Sequence, residues 1–114
     1  MGVTSIDLFR SGNASSARLS SPRLAGADPD VETYAHPSGD RWVRANTGGV
    51  STWDVPEPAW RGKVWRLAAG SGFPDELVLN NDGPGHWAWE PSRDMPLADY
   101  LAALQAVNVL FRGV

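Results

Sequence analysis

The sequence contains no cysteine, which excludes a disulfide framework and any thiolate metal site. Lysine is nearly absent as well, since Lys63 is the only one, and the arginines form no cluster. A protein that binds the phosphate backbone of a nucleic acid normally carries a basic stripe. With a net charge of −3 and no such stripe, this chain is not expected to bind nucleic acid.

Long apolar runs are missing too. A membrane-spanning helix needs roughly 18 consecutive apolar residues, and no stretch approaches that length, so we expect no membrane partner. Residues 1–10 show no basic region followed by an apolar one, so no cleavable signal peptide is expected. The two histidines, His36 and His86, lie fifty residues apart and outside any metal-binding spacing, so we expect no metal site.

Glycine, proline and tryptophan are unusually frequent for a chain of this length. The 114 residues include 12 glycines, nine prolines and six tryptophans, and 42% of them are hydrophobic. That hydrophobic share, with a charged fraction of 20%, is typical of a globular chain. Glycine and proline at this density indicate many turns between short strands. We therefore expect one compact, β-rich domain over residues 1–114.

Short alternating or β-branched stretches predict strands along most of the chain. These stretches are Ser5–Arg10, Arg41–Arg44, Val50–Val55, Lys63–Ala68, Glu76–Leu79 and His86–Glu90. Between the last two of them, Asn80–Gly83 predicts a turn. Residues 20–40 are polar and rich in proline and glycine, and they predict a long loop of the kind that is mobile or functional.

The last part of the chain has helical periodicity. Between Leu97 and Phe111 apolar residues recur every three or four positions and form one face, which predicts an amphipathic helix of about 15 residues. Pro96 suits the first turn of this helix, and Gly113 lies where a C-terminal stop is expected. The chain therefore combines several short strands with one C-terminal helix.

Two groups of residues suggest a ligand site but also have simpler explanations. Leu8–Arg10 ends an apolar stretch in an arginine, which is either a solvated charge at a strand end or a clamp for an anion such as phosphate. Gly48 and Gly49 precede the hydroxyl residues Ser51 and Thr52. Paired glycines form a hairpin turn or allow a ligand to come close to the backbone. The residues alone leave these alternatives open.

The third group is the strand His86–Glu90. Alternation along a strand places its two tryptophans in the core. His86 and Glu90 then share the opposite surface, which is either plain solvent or a cleft. A Ser–His–Asp triad can be drawn from Ser51, His86 and Asp54, but many other combinations serve equally well, so no triad is predicted.

In order and spacing these groups resemble the Tse2 family of small type VI secretion effector toxins, which have an ADP-ribosyltransferase-like fold. The matching stretches are Leu8–Arg10, Gly48–Asp54, His86–Trp87 with Pro91 and Met95, and the helix from Pro96. The resemblance implies an α+β fold, in which small split antiparallel β-sheets form a cleft and the C-terminal helix packs against them. Where the family commonly has threonine after the two glycines, this chain has Val50, which removes one hydroxyl from the site.

The resemblance also implies an activity. The chain would be an enzyme, an NAD-dependent ADP-ribosyltransferase toxin that uses NAD as its substrate and needs no metal. It would act in the cytoplasm of the producing or the target cell, after export without a cleavable signal peptide. Its implied partners are a cognate immunity (antitoxin) protein and an acceptor that the residues do not identify. Breaking the nicotinamide–ribose bond creates an oxocarbenium-like cation, so such a site must hold NAD in a strained pose and offer nearby negative charge.

The residues implied for this chemistry fall in the three matched groups. The catalytic set is Arg10, Ser51, His86 and Glu90, and the NAD-binding set is Arg10, Gly48, Gly49, Ser51, Thr52 and His86. Arg10 is expected to hold a phosphate or ribose oxygen. Ser51 is expected to support the nicotinamide ribose, and His86 to bond the ribose on the adenosine side.

Three questions stay open at this point. Glu90, Glu76 and Asp54 compete for the role of the catalytic carboxylate, and the family pattern does not choose among them. A toxin of the RES-domain kind, which also begins with a strand ending in arginine, would degrade NAD instead of transferring ADP-ribose. A non-catalytic module would use exposed tryptophans to dock a peptide or a partner helix, and NAD would not bind to it.

Overall fold

The structure is a computed structural model that describes all 114 residues, and it consists of eleven short strands and one helix. In chain order the strands are β1 (Gly2–Val3), β2 (Leu8–Gly12), β3 (Thr33–Ala35), β4 (Arg41–Val43), β5 (Val50–Trp53), β6 (Lys63–Leu67), β7 (Gly72–Phe73), β8 (Leu77–Gly83), β9 (His86–Pro91), β10 (Met95–Pro96) and β11 (Arg112–Gly113). The helix α1 (Leu97–Asn108) lies between the last two strands. All neighbouring strands pair antiparallel, and the predicted α+β class is confirmed.

The strands form three sheets. The largest has six strands in the order β11-β6-β2-β5-β9-β8, the second has three in the order β10-β4-β3, and β1 pairs with β7 in a two-stranded ribbon. Early and late parts of the chain meet in the largest sheet, because β2 and β11 both pair with β6. No helix of the structure has the length and apolar character needed to cross a membrane.

One hydrophobic core connects the sheets to α1. Its largest fully buried side chains are Trp89, Tyr100, Leu8, Leu19, Leu67, Met95 and Leu104. The Tyr100 hydroxyl donates to the Trp89 carbonyl over 2.6 Å, and Phe73 of the ribbon meets the Trp89 ring edge-on at 5.1 Å. Burial raises the pKa of Tyr100 far above its usual range, so its hydroxyl stays protonated and keeps donating. These contacts attach β9 to both the helix and the ribbon.

Two of the predicted boundaries in the first half of the chain are wrong. β2 begins at Leu8 instead of Ser5, because the Asp7 carboxylate accepts a backbone N–H from the β6–β7 connection at 2.8 Å and ends the ladder there. The predicted loop over residues 20–40 contains the strand β3. Just before that strand, Val31 is fully buried in the core, so this part of the loop is anchored.

The hairpin between β8 and β9 also differs from the prediction. β8 continues through Asn80–Gly83, and the turn comes later, with Gly85 at a φ of 72°. The pairing register shifts after Asn81, which leaves Asp82 without a partner in the ladder. The Asn81 amide stabilises this bulge by donating to two backbone carbonyls across the turn, each at 3.0 Å.

The helix is shorter than predicted, with 12 residues, and it ends at Asn108. The Asn108 side chain accepts the Leu19 N–H at 2.8 Å and donates to the Ser16 hydroxyl at 3.2 Å, so it ties the helix end to the segment after β2. Phe111 is buried, as the periodicity predicts, but it lies beyond the helix. Gly113 is not the helix stop, because it belongs to β11 and pairs with β6.

Candidate functional site

The six-stranded sheet has a gap between β2 and β5. β2 pairs with β6 over five residues but with β5 only at Phe9 and Trp53. The Arg10 side chain bridges this gap, since its Nη1 donates to the Ser51 carbonyl at 2.6 Å and its Nε to the Ala17 carbonyl at 2.9 Å. Nη2 makes a longer contact of 3.4 Å with the Arg18 carbonyl. Arg10 therefore links β2 both to β5 and to the segment that follows β2.

The Arg10 guanidinium is largely enclosed by these contacts. Burial lowers the pKa of Arg10, the Asp30 carboxylate opposes that shift, and Arg18 and Arg23 add to it. Arginine begins so far above neutrality that the side chain remains charged. A guanidinium has five N–H donors, and the three carbonyls take one each. The other two donors have no carbonyl partner.

A cavity of about 460 Å³ opens beside Arg10. It is lined by nine residues, none of them hydrophobic: Arg10, Ser11, Gly12, Asn13, Arg18, Ser21, Arg23, Asp30 and Ser51. Ligand sites commonly have volumes of roughly 300–1,000 Å³, although most are more apolar than this one. Three arginines against a single carboxylate give the walls a positive excess, which suits an anionic ligand.

Arg23 and Asp30 of the cavity wall form an ion pair. Arg23 Nη2 lies 3.0 Å from Asp30 Oδ1, and the Arg23 backbone N–H donates to the other oxygen of that carboxylate at 2.7 Å. Arg18 in the same wall has a φ of 59°, in the left-handed region that non-glycine residues seldom adopt. Such strain often accompanies functional sites, where the surrounding structure maintains it.

Ser51 connects the cavity to the face of β9. Its hydroxyl lies 2.7 Å from His86 Nε2, and the opposite ring nitrogen, Nδ1, contacts the Asp82 carboxylate. Trp53 packs edge-on against the His86 ring, with ring centres 4.5 Å apart. The structure thus brings Arg10, Ser51 and His86 together, with Ser51 as the central residue. Asp82 was missed by sequence reasoning, because its contact depends on the β8 bulge, for which the sequence has no clear signal.

The three candidate carboxylates occupy different places. Glu90 lies on the same strand as His86 and accepts a hydrogen bond from the Asn80 amide at 3.0 Å. Asp54 follows β5 and accepts from the Trp87 indole at 3.3 Å. Glu76 precedes β8, at the end of the hairpin remote from the turn. None of the three lines the cavity, and neither does His86.

Gly48 and Gly49 have structural reasons to be glycine. Gly48 has a φ of 117°, and a Cβ there would lie 2.6 Å from the Asp30 carbonyl oxygen. At Gly49 a Cβ would collide with the backbone of Trp89 on β9. Neither lines the cavity, so both glycines allow close packing of backbones around the site.

Thr52 points away from the cavity. It is fully buried, its hydroxyl donates to the Trp87 carbonyl at 2.9 Å, and it accepts the Trp89 indole N–H at 3.1 Å. Because side chains alternate along β5, Ser51 and Thr52 lie on opposite faces of the sheet. Thr52 therefore supports the core, and a ligand in the cavity does not reach its hydroxyl.

Val50 also faces the core, which changes what its substitution should do. Its side chain is fully buried in the hydrophobic cluster, so Val50→Thr would place a hydroxyl there and would not restore one to the site. We expect this variant to lose about 1–3 kcal/mol of unfolding free energy without gaining NAD-dependent activity. Urea denaturation and an activity assay check this. Unchanged stability with higher activity would show that position 50 faces the ligand.

Comparison with known proteins places these features in a family. A search of curated proteins finds no match to the chain. The family profile described as Tse2 ADP-ribosyltransferase toxin matches residues 7–110, a span that contains Arg10, the cavity walls and the Ser51–His86 contact. The match confirms the resemblance in the sequence and agrees with the antiparallel sheets and single C-terminal helix. The chain belongs to the Tse2 ADP-ribosyltransferase toxin family.

Proposed function

We propose that this chain binds NAD in the cavity beside Arg10 and transfers ADP-ribose to an acceptor in the cytoplasm of a target cell. Family membership supports the transferase class. The observation that carries the NAD proposal is the cavity without hydrophobic lining residues, whose walls hold three arginines and Ser51, the hydroxyl of which contacts His86. NAD combines an anionic pyrophosphate with two hydroxyl-rich riboses, and this lining has groups for both.

The arginines are proposed to bind the pyrophosphate. Guanidinium groups match phosphate oxygens in a bidentate manner, and Arg10 has two donors that no carbonyl takes. Arg18 and Arg23 face the same space. The Asp30 carboxylate holds Arg23 in place, so a bound phosphate would compete with that carboxylate for the guanidinium. Arg10 is thus both a phosphate ligand and a support of the gap between β2 and β5.

Ser51 is proposed to bind the ribose next to the bond that breaks. Both ring nitrogens of His86 already contact Asp82 and Ser51, so His86 is proposed to hold the Ser51 hydroxyl in place instead of bonding the adenosine-side ribose itself. When the nicotinamide leaves, it departs as a neutral molecule, so little protonation is needed and catalysis depends on positioning and on stabilising positive charge. Glu90 is the carboxylate we propose to face that charge. It lies two residues beyond Ala88, which is the cross-strand partner of Ser51, and alternation puts it on the Ser51 face of the sheet.

Two wider features belong to the same proposal. The residues of the core cluster run from Leu8 to Phe111, which supports a single domain over residues 1–114. An enzyme that modifies cytoplasmic components endangers the cell that makes it, so we include a cognate immunity protein as a partner. The net charge of −3 favours a protein or a small molecule over nucleic acid as the acceptor.

Product analysis tests the proposed function. The full chain is incubated with a cell extract and NAD that carries a radioactive adenylate phosphate, and the products are separated by size. Transfer predicts label on a macromolecule or a modified small acceptor, together with free nicotinamide. Free ADP-ribose or its phosphate as the only labelled product would indicate NAD degradation of the RES-domain kind instead of transfer. If NAD stays intact and its titration does not change the tryptophan fluorescence, the chain is a non-catalytic binding module.

A further inference from the structure

The side chains of Asp82, His86 and Ser51 form a continuous hydrogen-bonded series at the end of the β8–β9 hairpin. Asp82 is the residue that the register shift leaves out of the ladder. A β-bulge re-aims the side chain of the extra residue, and here it turns the Asp82 carboxylate toward His86 Nδ1. The hydrogen-bonded series ends at the Ser51 hydroxyl, which is 2.7 Å from Nε2 on the other side of the His86 ring.

The Asp82 carboxylate determines which atoms donate and which accept along this hydrogen-bonded series. A carboxylate can only accept, so Nδ1 of His86 must carry a hydrogen. In a neutral imidazole the other nitrogen then has the lone pair, and Nε2 accepts the Ser51 hydroxyl hydrogen. Ser51 has only that one hydrogen. Its oxygen is left with acceptor capacity alone.

We propose that Asp82 is a positioning residue that fixes the tautomer of His86 and so makes the Ser51 oxygen an acceptor for a donor group on the ligand. The ligand group would be a hydroxyl, such as a ribose hydroxyl, or an amide N–H. This second part rests on the proposed function, whereas the tautomer itself does not. Trp53, edge-on to the ring at 4.5 Å, limits the ring rotation that would exchange the two nitrogens.

The second histidine supplies an internal reference with the opposite tautomer. The Ser38 backbone N–H donates to His36 Nδ1 at 3.1 Å. A nitrogen that accepts this bond has no hydrogen, so neutral His36 carries its hydrogen on Nε2. The chain has no other histidine. The two imidazoles should therefore give two distinct and opposite patterns in one spectrum.

Nitrogen-15 NMR of the histidine-labelled full chain, at a pH where both rings are neutral, tests the tautomer. We expect the Nδ1 of His86 and the Nε2 of His36 to be the nitrogens that carry hydrogen. Asp82→Ala removes the acceptor that holds the hydrogen of neutral His86 on Nδ1, so the His86 pattern should change while that of His36 stays. Glu57→Gln removes one exposed carboxylate elsewhere and should leave both patterns unchanged. A wild-type His86 with its hydrogen on Nε2, or no change in Asp82→Ala, would overturn the proposal.

Binding measurements test the consequence for the ligand. Asp82→Ala and Ser51→Ala should each weaken NAD binding about tenfold, and the double variant should bind no more weakly than Ser51→Ala alone. Losses that add fully would show that Asp82 acts independently of Ser51. If the wild-type chain does not bind NAD, the proposed function fails, and the NMR result still decides the role of Asp82. A changed tautomer with NAD affinity intact would overturn the acceptor role.

Discussion

Arg10→Ala should lower the free energy of unfolding by about 2–4 kcal/mol and also abolish measurable NAD binding. The stability loss is expected because the carbonyls of Ala17, Arg18 and Ser51 lose their donor together, and water from the cavity replaces it only in part. The binding loss is expected because a charge-assisted phosphate contact contributes about 1.5–3 kcal/mol and the gap between β2 and β5 loses its bridge. Urea denaturation and calorimetric titration measure the two effects.

The controls separate the charge of Arg10 from its shape. Arg10→Lys keeps the charge but cannot reach three carbonyls at once, so it should be intermediate in both measurements. Arg66→Ala removes an exposed arginine from the neighbouring strand β6 and should change neither. Arg23 is no suitable control, because it lies in the cavity wall. An Arg10→Ala protein as stable as wild type would mean that the gap closes without this side chain.

Leu104→Ala should cost about 2–4 kcal/mol of unfolding free energy. Leu104 is fully buried in the core cluster, so its truncation leaves a cavity between α1 and the sheet. The midpoint of urea unfolding gives the change directly, provided that the slope is unchanged. Leu110→Ala makes the same substitution just beyond the helix at a side chain that is 40% exposed, and it should cost less than about 1 kcal/mol. Equal losses at the two positions would contradict the packing of α1 on the core.

The elements with strong periodicity could be predicted from the sequence. Lys63–Ala68 alternates clearly, and β6 occupies all but its last residue. The apolar spacing from Leu97 onward predicts α1 and even the burial of Phe111, though not the turn that takes Phe111 out of the helix. That turn depends on the Asn108 side chain and on β11, which pairs with a strand far away in the chain. Local patterns do not carry such information.

The candidate site was predictable in part, for similar reasons. Strand alternation alone separates Ser51 from Thr52, because neighbouring residues of a strand face opposite sides. The contact between Ser51 and His86 follows from the β5–β9 pairing, which the order of the matched motifs suggests but does not fix. The carbonyls around Arg10 come from two separate segments, and Asp82 depends on a bulge. These features require the three-dimensional arrangement.

A calorimetric titration of NAD into wild-type chain and into Ser51→Ala tests the central claim, that NAD binds at the Arg10–Ser51–His86 site. The substitution removes the hydroxyl that contacts His86 and keeps the backbone carbonyl that accepts from Arg10, so the melting temperature should hardly change. We expect saturable binding of one NAD per chain in the wild type and affinity about tenfold weaker in Ser51→Ala. The absence of binding to the wild type, or equal affinity in the two proteins, would contradict the account.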